Sequence, residues 1–172
     1  MIEEKATMKK KWTIRRYNTH QDFLDGKLPG TIIDGAGKML PGESVFEGNV
    51  LLQEGIGELL ELLVGNGATA YSNANAYLGV GESATVAAAT QTGLIGSTTT
   101  HKGMETSYPS INATTVTFRS VFGSADANNV WQEFTVVNAS SDTGQNLNRK
   151  VSDQGIKASG QTWTLDLAIT FS

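Results

Sequence analysis

The stretch 161-QTWTLDLAITF-171 decides the fold. Trp163, Leu165, Leu167, Ile169 and Phe171 alternate with Thr162, Thr164, Asp166, Ala168 and Thr170. Side chains of an extended chain point to opposite sides in turn, so this pattern predicts a strand with one buried face. A helix would scatter the same apolar residues around its circumference. Trp163 shares their phase and is therefore expected in the core rather than as a sugar-stacking platform.

The period of two recurs upstream. In 115-TVTFRSVF-122, Val116, Phe118 and Phe122 share one face, and Thr115, Thr117 and Arg119 the other. Shorter strands are expected in 76-AYLGVG-81, 131-WQEFTVVN-138 and 147-LNRKV-151. Clusters of Gly, Ser, Asn and Asp separate these runs, and strands do not alternate with helices. The expected fold is mainly β: an antiparallel β-sandwich of jelly-roll or Ig-like type.

One helix is expected, over residues 49–64, NVLLQEGIGELLELLV. Leu52, Ile56, Leu59, Leu60 and Leu63 fall on one helical face, with Glu54, Glu58 and Glu61 off it. Asn49 would cap the start and Gly65 the end. Gly55 and Gly57 each weaken the helix by roughly 1 kcal/mol relative to alanine, and leave room for another segment to pack closely. The apolar stripe is expected to cover a sheet.

Residues 1–47 read as an extended basic N-terminal arm on a sandwich domain of residues 48–172. The triplets Leu28-Pro29-Gly30 and Leu40-Pro41-Gly42 suit type II turns, with a short β-like patch, TIIDGAGKM, between them. Lys5, Lys9, Lys10, Lys11, Arg15 and Arg16 outweigh Glu3 and Glu4 in the first 16 residues, although the whole chain carries −4. Met8 directly precedes the lysines and could serve as an alternative start. With no core of its own, such an arm would anchor on a partner through Trp12, Ile14, Arg15, Arg16, Tyr17 and Phe23.

Charged residues are 17 % of the chain, below average usage, and there is no cysteine. Disulfides and thiolate catalysis are therefore excluded. No apolar run approaches a membrane span. The acidic body disfavours nucleic acid. Gly79-Val80-Gly81 lacks the third glycine of a dinucleotide fingerprint, and no Lys-Ser/Thr pair makes it a P-loop. These glycines are expected to break a strand and begin a turn. Of the two histidines, His20 falls in the arm and His101 in a polar loop. SADANN (124–129) and SSDTGQN (140–146) are oxygen-rich but match no EF-hand loop, so they are expected to be turns. Asp166 and Glu133 sit at polar strand positions, and nothing pairs them as glycosidase acids. No catalytic, cofactor or metal residue is expected.

The order 48-GNVLLQEGIGELLELLVG-65, 76-AYLGVGESATVAAATQTGL-94, 116-VTFRSVFGSADANNVWQEFTVVN-138, LNRKV and 157-KASGQTWTLDLAITFS-172 resembles a family of tailed-bacteriophage and prophage virion proteins. The resemblance spans residues 48–172 and leaves the arm uncovered. It departs after Glu133, where Phe134-Thr135-Val136-Val137 replaces a glycine-leucine-phenylalanine stretch. It implies a non-enzymatic structural component of the virion. The first expectation is a capsid-surface decoration or stabilising protein, docked on the major capsid protein or other virion proteins and homo-oligomeric, a trimer being one option. The alternative is a tail, neck, baseplate or fibre component in host contact, with Tyr108 and Trp131 as exposed loop aromatics.

Overall fold

The alternating stretch at the C-terminus forms a ten-residue strand, Thr162–Phe171, at the centre of a five-stranded antiparallel sheet. The structure, a computed structural model, describes residues 7–172. Glu3, Glu4 and Lys5 of the expected arm, and the rest of residues 1–6, lie outside the described residues.

In chain order the elements begin with β1 (Met8–Tyr17), α1 (His20–Leu24), β2 (Thr31–Ile33), β3 (Met39–Pro41), β4 (Glu43–Glu47) and β5 (Val50–Leu51). Then come α2 (Gln53–Val64), β6 (Tyr77–Gly81), β7 (Thr99–Gly103), β8 (Ser110–Asn112) and β9 (Thr115–Phe122). The chain finishes with β10 (Glu133–Val137), β11 (Asn148–Val151) and β12 (Thr162–Phe171). One sheet runs β4-β1-β12-β9-β8 and the other β5-β11-β10-β6-β7, with β2 and β3 a separate hairpin. The fold is a mainly β, antiparallel sandwich.

The core is the space between the two inner faces. Trp12 and Ile14 of β1 pair with Leu167 and Leu165 of β12, and Phe118 and Phe122 of β9 pair with Leu167 and Trp163. Phe134 and Val136, with Leu78 and Val80, close the core from the other sheet. Trp131 packs edge-on against Trp163, with ring centroids 4.9 Å apart, and its indole N–H donates to the Ala127 carbonyl. Trp131 is therefore a core residue, not a surface platform.

The N-terminal arm needs correction. Residues 8–17 are β1, inserted between β12 and β4 and paired with β12 from Met8↔Phe171 to Tyr17↔Thr162. Trp12 and Ile14 are fully buried. The mechanism is again alternation: Met8, Lys10, Trp12, Ile14 and Arg16 face inward, and Lys9, Lys11, Thr13, Arg15 and Tyr17 outward. Two cations at inward positions hide the period in the sequence. Arg16 is accommodated because its guanidinium lies 4.7 Å from the Trp163 ring centre and donates to the Pro41 and Gln154 carbonyls, Ser44 Oγ and Gln154 Oε1. Burial lowers its pKa to about 10, with Asp34 partly opposing, so it stays charged at neutral pH.

Three local expectations also change. Gly79 and Gly81 do not break a strand; they lie within β6. A Cβ on Gly79 would come within 2.8 Å of His101, and one on Gly81 within 2.5 Å of Glu133, so the missing side chains make room for these neighbours. His101 is not in an exposed loop but on β7, its side chain 3.2 Å from Asp142. The two Leu-Pro-Gly triplets are not type II turns, since neither Gly30 nor Gly42 has positive φ. They lie side by side at the base of the β2–β3 hairpin, where the Gly42 N–H donates to the Gly30 carbonyl.

Candidate interaction surface

Helix α2 starts later than the sequence indicates. Leu52 occupies the cap position without a side-chain bond, and both amide atoms of Asn49 are buried without a partner. The end is as expected: Gly65 adopts φ 70°, and the Gly65 and Asn66 N–H groups donate to Leu62 and Glu61. Glycine is favoured there because a left-handed residue with a Cβ is strained.

The helix presents an unexpected face to the body. A Cβ on Gly55 would run into the Leu147 backbone, so the two chains approach closely there. Glu54 accepts a 2.8 Å bond from the Asn146 N–H. Glu58 accepts from the Thr69 N–H and the Asn138 amide, both at 2.7 Å. These carboxylates replace water on donors that the packed loops would otherwise orphan. Leu52 is buried and Leu59 partly so, but Ile56, Leu60, Leu63 and Val64 are turned to solvent, Leu63 by 80 % and Val64 by 75 %. The expected sheet-covering stripe is thus split, its larger part facing outward.

Beside this face opens an apolar cleft of about 540 Å³. Leu59 and Leu62 form one wall, and Met8, Ile111 and Phe171, from the open end of the β1-containing sheet, form the other. Ile111 and Phe171 are themselves exposed. Four aliphatic side chains on one three-turn helix, next to an apolar cleft, have the composition of an interface rather than of scattered surface residues. Covering each would contribute on the order of 1.5 kcal/mol or more.

The six residues expected to anchor the arm have other roles. Trp12, Ile14 and Arg16 belong to the interior. Arg15, Tyr17 and Phe23 come together on the outer face of the same sheet, in a separate pocket. Arg15 forms an ion pair with Glu43 at 2.7 Å and donates from Nη1 to Asp166 at 3.1 Å, and Tyr17 packs edge-on against Phe23. Sequence reasoning missed the α2 face because apolar periodicity reports that a helix has two faces and not which one is turned inward.

The acidic strand residues do not converge. Glu133 is fully buried on the outer face of the sheet containing β10, where Arg149 donates two bonds to Oε2 at 2.9 and 2.7 Å. Its carboxylate also accepts from the N–H groups of Ser83, Ile95 and Gly96, which ties down the segment between β6 and β7. Asp166 lies on the opposite outer face, held by Arg119 Nε at 2.7 Å and Nη2 at 2.5 Å. Among the described residues no group of three His, Cys, Asp or Glu side chains could hold a metal ion, and no helix is long and apolar enough to cross a membrane. No protein-family model, curated protein or solved structure matches the chain.

Proposed function

We propose that this chain is a non-enzymatic structural protein of a tailed-phage virion, of the capsid-surface decoration kind, docking through the outward face of α2. The observation that carries the docking is that helix: its glutamates serve the interior while Ile56, Leu60, Leu63 and Val64 meet solvent. The resemblance of residues 48–172 to virion proteins supplies the setting. The separation of Glu133 and Asp166 onto opposite faces, each consumed by arginine, supports a role without acid–base chemistry. A small apolar patch suits attachment to a repeating lattice, where many modest contacts add to firm retention.

The test is quantitative mass spectrometry of purified virions of the phage or prophage encoding the chain. A copy number comparable to that of the major capsid protein is expected. A small fraction of that number would move the protein to the neck, tail or baseplate, and absence from virions would overturn the reading. In parallel, Leu60→Lys with Leu63→Lys leaves stability within about 0.5 kcal/mol, because both are surface positions. This double variant loses virion association, and normal occupancy would show that α2 is not the docking face.

A further inference from the structure

Three pairs in the chain place glycine after an aspartate or asparagine: Asp25-Gly26, Asp34-Gly35 and Asn66-Gly67. Such a pair can rearrange without an enzyme. The glycine nitrogen, having lost its proton to hydroxide, attacks the side-chain carbonyl carbon of the preceding residue and closes a five-membered imide. Glycine permits this because it has no Cβ to obstruct the approach. The fold treats the three pairs differently.

At the two aspartates the reaction is blocked twice. The Gly26 N–H donates to the Phe23 carbonyl at 3.1 Å and the Gly35 N–H to the Ile156 carbonyl at 2.7 Å, so neither nitrogen is free to attack. Both carboxyl groups are also held ionised, and a carboxylate is a poor electrophile. Asp25 lies below the usual carboxylate range because Lys27 and then Gln21 donate to it. At Asp34 burial acts to raise the pKa, but the N–H groups of Lys38, Ile156 and Ala36 hold it lowered.

Asn66-Gly67 has none of these restraints. It follows directly on the Gly65 stop of α2, with both residues exposed. The Gly67 N–H has no acceptor among the described residues, and a Cβ placed on Gly67 would meet nothing within 4 Å, so the space around the bond is open. The Asn66 amide reaches only Glu61, at 3.5 Å, which is the limit of a hydrogen bond. An amide also carries a leaving group, ammonia. The exposed Asn73, Asn112 and Asn128 are followed by Ala74, Ala113 and Asn129, whose Cβ atoms hinder the attack.

We propose that Asn66 is a self-modification site, converting through a succinimide to aspartate and isoaspartate. The bond from Gly67 N to Asn66 Cγ forms and the Cγ–Nδ2 bond breaks, releasing ammonia. Water then opens the ring at either carbonyl. Both products put a carboxylate beside Glu61 at the negative end of the α2 dipole. Isoaspartate also reroutes the backbone through the side chain, adding a methylene just before Thr69. The Thr69 N–H donates to Glu58 and its carbonyl accepts from Asn138, so the insertion pulls on the ties that hold α2 to the body. The last turn of α2, which carries Leu63 and Val64, loosens. The chemistry stands independently of the virion reading, and only its effect on attachment rests on that reading.

The test incubates the full chain in mildly alkaline buffer beside synthetic peptides of residues 22–29, 31–38 and 63–70. Conversion is read by peptide mapping with fragmentation that separates isoaspartate from aspartate. Asn66 in the folded chain is expected to convert within about tenfold of its peptide's rate, while Asp25 and Asp34 stay intact as their peptides rearrange. Asn66→Gln keeps the fold, because the position is exposed, and abolishes conversion, because its ring would need six members. Amide exchange from Leu63 to Thr69 is expected to be faster in the converted chain than in Asn66→Gln. Conversion of Asn66 more than about tenfold slower than its peptide, rearrangement of Asp25 or Asp34 at the same rate as Asn66, or unchanged amide exchange after conversion would each overturn the proposal. Converted protein that still attaches to virions at normal occupancy would instead count against the α2 docking face.

Discussion

Lys157 is the residue where burial and charge conflict most directly. It is 1 % exposed, and Nζ donates to the Gly123 carbonyl at 2.7 Å and to Asn128 Oδ1 at 2.6 Å. Those acceptors are neutral, so burial dominates and lowers the pKa from 10.5 to about 8, with Asp126 partly opposing. The unfolded chain holds this proton to higher pH than the folded chain does. Stability from this group is therefore lowest below about pH 8 and rises as pH climbs from about 8 towards 10.5. Melting temperatures at about pH 7 and about pH 9 should show this rise in the wild type and a smaller one in Lys157→Met. Equal pH slopes in the two proteins would mean that Lys157 does not titrate in this window. Tyr71, whose pKa burial and then Glu58 and Glu54 raise, acts in the opposite sense only above its ordinary value of 10, outside the chosen range.

At the scale of the element, α2 contains two glycines with opposite roles. Gly57 is exposed, and a methyl group added there would meet nothing within 4 Å, whereas Gly55 faces the Leu147 backbone. Gly57→Ala should therefore stabilise the protein by about 0.5–1 kcal/mol, through helix propensity and a less flexible unfolded chain. Gly55→Ala should destabilise it by about 1–3 kcal/mol, because the helix must retreat from Leu147 and strain the Glu54 and Glu58 bonds. Urea denaturation of the two variants checks both signs, and a stabilising Gly55→Ala would show that the close approach is not required. Periodicity revealed the existence of α2 and its Gly65 stop, but the glutamates that satisfy loop donors turned its leucines outward. For β12 the inner face was legible from its alternation. Its outer face is also largely buried, because α1 and the loop after β7 cover Thr162 and Thr164, and threonines at those positions read as solvent-facing.

For the whole molecule, the decisive question is what the first 17 residues do. A mobile arm could be deleted without cost to the body. A strand held by β12 on one side and β4 on the other could not, since its loss empties the space filled by Trp12 and Ile14 and exposes the edge of β12. Removal of residues 1–17 should abolish cooperative unfolding, read by circular dichroism. A cooperative transition in that truncation would restore the arm. The sequence alone determined the β class, the strands now numbered β6 and β9 to β12, and one helix, because periodicity and turn residues are local and act before any partner is met. It held no sign of the pocket above Asp166, whose groups come from β1, α1, the loop after β7, β9 and β12. Only the tertiary structure decided that the basic N-terminal segment is a central strand, which way α2 faces, and which polar groups are left without partners. These depend on contacts between residues far apart in the chain, where burial of Trp12 and satisfaction of buried donors outweigh the local signals of charge and amphipathicity.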